Sequence, residues 1–367
     1  MPSLPIGAVS ILVIQLYLAI NRENNAENLS ILQRILKLDL IGASILIPAV
    51  ICLLLALQWG GSTYPWSNSR VIGLFVGAGL LGILFGYSQI KLGEKGTLPP
   101  RLFRNRNVAF AMAFAFFFGA AFFSIIYYLA IYFQSVKGSS ATKAGIQLLP
   151  LLIATVLSSI LTGGLISMIG YYVPVMLVSM VLFAIGSGLI TTFSLETTTG
   201  QWFGYQVLAG AGVGVGFQGS ILVVQTVLPL VDVPVGTACV SFFQQLGGAL
   251  LIAVAQSLFQ NGLLAGIQKY EPDLDAQIFL HSGATEIRGI LKQIHREDAL
   301  EGILQAYVDG LTDTYWITAA CAIAAFFSAC GLQWKSVKKG PEEEKRPDEE
   351  SKETSVGEIE LEKSLEN

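Results

Sequence analysis

The chain has 367 residues; 53% are hydrophobic, 13% are charged, and the mean hydropathy is +0.61. Soluble domains carry about 25% charged residues, so this composition speaks against a soluble enzyme and for a chain housed in lipid. The net charge of −4 is local, because residues 335–367 hold eleven acids and seven bases and the rest fifteen of each; that leaves no basic surface for nucleic acid.

Nine apolar segments read as spans, at about 5–20, 39–58, 70–90, 108–133, 144–168, 173–193, 201–228, 236–259 and 311–334, most of them near the ~20 residues that cross a bilayer as a helix. The first is short, and it lacks the basic start and small-residue cleavage site of a signal peptide. The expected fold is an all-α membrane protein with about nine transmembrane helices. Residues 260–310 form a long connection in which Ile287, Ile290, Leu291 and Ile294, then Leu300, Ile303, Leu304 and Tyr307, recur at helical spacing. That is the pattern of an amphipathic helix on the membrane surface or across the end of a bundle; a solvated helix would share it. The tail 335–367, rich in Glu, Lys, Ser and Pro, is expected to be disordered.

Basic residues orient the spans. With the C-terminus inside, the inner loops hold Arg22, Arg34, Lys37, Lys91, Lys95, Arg101, Arg104, Arg106, Lys335, Lys338 and Lys339, against Arg70, Lys137 and Lys143 outside. The C-terminus is therefore expected in the cytoplasm and the 260–310 connection outside.

Gly214, Gly216 and Gly219 spell G-x-G-x-x-G, with Asp232 following, which alone is a dinucleotide fingerprint. Only twelve residues separate Gly219 from Asp232, too few for a crossover helix and second strand. Residues 197–231 contain no Asp, Glu, Lys, Arg or His. Gly210/Gly214 and Gly212/Gly216 are instead G-x-x-x-G pairs, expected to form a seam where membrane helices pack closely.

No hydrolase, metalloprotease or P-loop motif is present. Cys52, Cys239, Cys321 and Cys330 lie in apolar blocks without metal spacing, and His281 and His295 have no partner motif. No cofactor and no metal are expected. Asp39, Asp232, Asp309 and Asp313 fall at span edges and read as interfacial. Uncharged amides and aromatic rings populate the spans instead. They suit a hydrophobic small molecule, although lipid-facing Phe and interhelical Gln bonds would use the same residues. The substrate-cavity candidates are Phe122, Tyr127, Tyr128, Gln147, Gln218, Gln225, Phe242 and Gln245.

The string YYLAIYFQSVKGSSATKAGIQLLPLLI at 127–153 resembles the signature of fungal fourteen-helix drug:proton antiporters of the major facilitator superfamily. LPIGAV (4–9), DLIG (39–42), LLALQWGG (54–61), GLISMIGYYVP (164–174), GAGVGVGFQ (210–218) and SFFQQLGGAL (241–250) resemble further parts of it, with Met168 where a basic residue is common. The resemblance runs from about residue 4 to 334 and matches helices six to fourteen. It implies a last helix of the N-terminal half (1–20), two linker helices with a basic cytoplasmic loop (21–107), a C-terminal six-helix domain (108–334) and a cytoplasmic tail (335–367). The five earlier helices, which carry proton coupling in the family, are expected to be missing, so the chain is expected to insert but not to drive proton-coupled efflux alone. The implied function is export of a secondary metabolite, mycotoxin or drug across the cell membrane. The alternative is a non-transporting membrane protein that associates with or regulates a longer relative.

Overall fold

The computed structural model describes residues 39–61, 63–93, 96–280 and 286–337. The expected span 5–20, His281 and the tail beyond Val337 lie outside them. Among the described residues there are helices and turns but no strand, and eight helices are long and apolar enough to cross a membrane. They are α1 (Leu40–Trp59), α2 (Ser69–Leu92), α4 (Arg106–Ser135), α5 with α6 (Ala141–Gln147, Leu149–Ile169), α7 (Val173–Ile190), α8 with α9 (Thr199–Val213, Gly216–Val227), α10 (Val233–Tyr270) and α13 (Leu300–Cys330). The short helices α3 (Pro100–Arg104), α11 (Gln277–Leu280) and α12 (Ile287–Gln293) lie between spans.

The sequence marks many of these boundaries chemically. Asp39, Asn68, Asn105 and Ser140 cap α1, α2, α4 and α5 by accepting from first-turn N–H groups. Pro100, Pro150, Pro174 and Pro234 sit in the first turns of α3, α6, α7 and α10, where a missing N–H is harmless. Gly170, at φ 80°, ends α6 in the left-handed conformation.

Helix α4 is the axis of the bundle, packed by α9, α10 and α13. Its most apolar window is 61% buried, against 17% in each of α1 and α2, so the α1–α2 pair is peripheral. It attaches through α10, where Ser257 Oγ donates to the Gly60 carbonyl at 3.1 Å. Gly119 of α4 lies on the Gln244 carbonyl, and Gly247 and Gly248 of α10 lie on Phe116 and Phe123. At Gly119 and Gly247 no side chain fits between the two backbones.

Two boundaries differ from expectation. Helix α10 continues to Tyr270 and α13 begins at Leu300, so the connection is 271–299 rather than 260–310. The cause is a small-residue contact beyond the apolar zone. A Cβ on Gly262 would come within 2.9 Å of Gly310 Cα, and one on Gly266 within 2.8 Å of Ala306 Cα. Asp309 and Asp313 consequently lie inside α13, not before it. The connection caps the bundle: Phe279, Ile287, Leu291 and Ala299 are buried in the main core.

A polar lock joins α1 to α2. The Asp39 carboxylate accepts from Gly42 N (2.6 Å), Gln89 Nε2 (2.7 Å), and the amide and hydroxyl of Thr97 (both 3.0 Å). Burial raises its pKa, but these hydrogen bonds outweigh it, and the net value lies below the ordinary 3.8. A depressed carboxylate stabilises the fold above its free pKa and loses that contribution as pH falls through the folded value. Asp39→Ala should cost about 1–2 kcal/mol and speed proteolysis at 93–98 at neutral pH. The wild type should show that sensitivity only below about pH 4, and equal cleavage of the two at pH 7 would remove the lock.

Candidate substrate cavity

On α4, Phe114, Phe118 and Phe122 repeat every four residues, and their rings stack at 6.0 and 5.9 Å. Phe217 of α9 meets this stack edge-on, 5.2 Å from Phe118 and 4.8 Å from Phe122. Such pairs add roughly 0.5–1.5 kcal/mol beyond burial. α9 comes this near because Gly216 has no side chain; a Cβ there would overlap the Phe118 ring.

The helix breaks for two residues between Val213 and Gly216. The four glycines around the break address three neighbours. Gly210 lies on the Leu151 carbonyl and Gly214 on Ser158, both of α6; Gly212 lies on the Phe183 backbone of α7; Gly216 lies on Phe118 of α4. Ser158 Oγ adds a 3.2 Å hydrogen bond to the Gly210 carbonyl.

Beside this break a cavity of about 590 Å³ opens between α6 and α9. Gly214, Val215 and Gly219 border it on one side, Thr162 and Ser167 on the other, and Val337 closes one end. Gln218 and Gln225 both line it. Seven residues apart, they share a helix face with about 10.5 Å between them along the axis. Their amides hydrogen-bond no other described residue, whereas the Thr162 hydroxyl is committed to the Ser158 carbonyl at 2.7 Å. Among the described residues no charged side chain lines the cavity. Apolar walls with two free amides accommodate an uncharged, largely apolar molecule.

Val337 is held there by a strap. After α13, Arg106 Nε donates to the Gly331 carbonyl (3.1 Å), and Asn107 exchanges hydrogen bonds with Gln333 (2.8 and 3.1 Å). The Tyr172 hydroxyl then reaches the Gln333 carbonyl (3.1 Å), and Val337 N donates to the Gly170 carbonyl (2.8 Å).

The other candidates are dispersed. Phe122 is buried in the aromatic stack. The Tyr128 hydroxyl is turned to the Ile252 carbonyl (3.3 Å) and Gln256 (3.4 Å) of α10, a helix-packing position, while Tyr127 is 44% exposed. Gln147 sits at the end of α5, its buried Oε1 without a partner among the described residues. Phe242 borders a separate cavity of about 220 Å³ with Leu46, Thr97 and Cys239, and Gln245 is exposed on α10. Sequence reasoning missed Phe217, Thr162, Ser167 and the α4–α10 glycines. The pair Gly247-Gly248 inside a span was a legible signal for the last; nothing in spacing marked the others.

Comparison with known proteins bears on this arrangement. The chain is 46% identical over 336 residues to the MFS-type efflux pumps MFS1 of Arthroderma benhamiae and of Trichophyton rubrum, covering 92% of this chain and 62% of each relative. It is 42% identical over 338 residues to the efflux pump roqT of Penicillium rubens, with the same coverage. The chain is a homologue of fungal MFS-type efflux pumps. It spans about six-tenths of the length of these relatives, and no family model matches it. In this pump homologue the G-x-G-x-x-G string lies within a membrane span. A dinucleotide fold would need a strand before it, and the described residues contain none.

Proposed function

We propose that the chain forms one wall of an efflux transporter that exports an uncharged, largely apolar small molecule, such as a secondary metabolite, mycotoxin or drug. The observation that carries this is the cavity at the helix break, which among the described residues no charged side chain lines and into which Gln218 and Gln225 bring free amides. The names of the relatives support efflux. Proton antiport is the coupling we assign to the full-length form. Among the described residues no titratable side chain lines the cavity, so we assign the proton site to another part of the full-length transporter. Arg101 and Arg104 in α3, Arg106 at the start of α4 and Lys335 just after α13 stand at one end of the bundle, which supports a cytoplasmic C-terminus; the cell membrane is the membrane we assign.

Two measurements test this reading. In a chain carrying this sequence at the relatives' full length, Gln218→Ala/Gln225→Ala should lower export of a neutral lipophilic dye about thirtyfold, the worth of two ordinary hydrogen bonds at about 1 kcal/mol each. Export by the parent should vanish with a protonophore. An inert parent, or an unaffected double variant, defeats the proposal. With native cysteines replaced, an impermeant thiol reagent added outside should label Lys292→Cys and spare Arg104→Cys; the opposite pattern inverts the orientation.

A further inference from the structure

The strap after α13 has a firm root and a lightly held tip. At the root, residues 331–333 are fixed by side chains of other elements. Gly331 lies on the Phe110 ring of α4, where a Cβ would overlap it, and its carbonyl accepts from Arg106 Nε. Asn107, itself buried, exchanges two hydrogen bonds with Gln333, and the hydroxyl of the buried Tyr172 donates to the Gln333 carbonyl. Leu332, between Gly331 and Gln333, is buried as well. Detaching the root would strand buried polar groups, which is costly.

The tip, residues 334–337, is held differently. It lies along the turn between α6 and α7, where Ser336 and Tyr171 pair as an isolated antiparallel bridge and Val337 N donates to the Gly170 carbonyl. The Trp334 and Tyr171 rings meet with centroids 6.5 Å apart. Backbone pairing this short is marginal by itself, so the tip lifts more readily than the root. Val337 borders the glutamine-lined cavity together with Ile166 and Ser167 from the last turn of α6 and Leu222 and Gln225 of α9. The helices α6, α9 and α13 all finish at this end.

We infer that residues 334–337 form a latch on the inner end of the cavity, hinged at the root, and that the exported molecule loads when the tip lifts from Gly170. The inference rests on reading this cavity as the place where that molecule sits. The contacts that carry it run between parts of this chain alone, so they do not depend on what the full-length protein places around the bundle. While the tip is down, Val337 narrows the cavity, and its bond to Gly170 fixes the residue that ends the α6 wall. Once the tip is up, both constraints go together.

A chain carrying this sequence at the relatives' full length, with native cysteines replaced, tests the latch in two ways. Ser167→Cys places a thiol in the cavity wall, and its reaction with a water-soluble maleimide on the solubilised protein follows the fraction of open latch. Adding Val337→Pro removes the donor to Gly170 and should speed that reaction about fivefold, the worth of one ordinary hydrogen bond. This readout needs no transport, and an unchanged rate overturns the latch whatever the cavity binds. Tyr171→Cys/Ser336→Cys sets two thiols across the bridge, where Cα atoms lie about 4.5–5.5 Å apart, within the reach of a disulfide. Oxidation should abolish dye export, and a reductant should restore it in the same sample, which separates closure from misfolding. Equal export by the oxidised and reduced forms overturns the inference. A parent that exports nothing in either form defeats the cavity reading, and the maleimide rate then decides the latch.

Discussion

Gly214→Leu is expected to abolish export and to lower the recovery of folded protein, whereas Gly73→Leu and Gly77→Leu leave both unchanged. All three glycines stand in G-x-x-x-G pairs within membrane spans, so composition cannot tell them apart. At Gly214 a Cβ would strike the Ser158 side chain and come within 2.6 Å of the Ser158 carbonyl carbon. α6 cannot retreat locally, because Gly210 one turn earlier is pressed on its Leu151 carbonyl. Overpacking of this kind costs about 1–3 kcal/mol, and lipid returns no hydrophobic gain when the helices separate. The displaced residue also borders the cavity. At Gly73 and Gly77 nothing lies within 4 Å, and a leucine there meets only surroundings as apolar as itself. Melting in detergent and dye export from vesicles measure the two effects. Wild-type values for Gly214→Leu would mean the α6–α8 contact is dispensable.

Lys137→Met should destabilise the end of the bundle where α4 finishes by about 1–2 kcal/mol, the cost of stranding acceptors in partly buried surroundings. Lys137 Nζ donates to the Leu195 carbonyl at 2.8 Å and the Thr197 carbonyl at 2.9 Å, and the neighbouring Tyr132 hydroxyl donates to the Ser194 carbonyl at 2.9 Å. Burial lowers the lysine's pKa, which marks it as partly withdrawn from water. Methionine keeps the stem and removes only the donors, so packing loss does not confuse the result. Arg101→Ala, by contrast, should cost well under 1 kcal/mol. Its bond to Asp232 is shorter, at 2.6 Å, but the arginine side chain is 55% exposed, and exposed pairs are screened. Unfolding midpoints of the two variants decide the order, and a larger effect at Arg101 would contradict it.

The spans were legible because each is a local fact. A run of about 20 apolar residues must satisfy its own backbone in lipid, and a helix does so without help from the rest of the chain. That reasoning placed six of the eight described spans within a few residues at both ends. It failed at 260–310, where α10 and α13 extend beyond the apolar zone through Gly262–Gly310 and Gly266–Ala306. The extension is a contact between residues far apart in sequence, and neither partner's local pattern contains it. The candidate cavity was legible only in part for the same reason. Gln218 and Gln225 stand seven apart on one helix and so share a face in any fold. Tyr128, Phe242 and Gln147 are equally suitable by type, but the neighbouring helices turned each toward a different place.

Composition and spacing by themselves determined that this chain lives in lipid, that its glycine string is no dinucleotide site, and that any ligand it holds in its spans meets few charges. Hydrophobic thickness and backbone hydrogen bonding impose those outcomes on the segments one at a time. The tertiary structure decided which glycines touch a neighbour, that the span at 199–227 breaks beside Gly214, and that Gln218, Gln225 and Val337 border one cavity. Lipid is as apolar as the side chains it surrounds, so hydrophobicity cannot choose between helix faces in a membrane. Close fit and buried hydrogen bonds choose instead, and both are properties of pairs of helices.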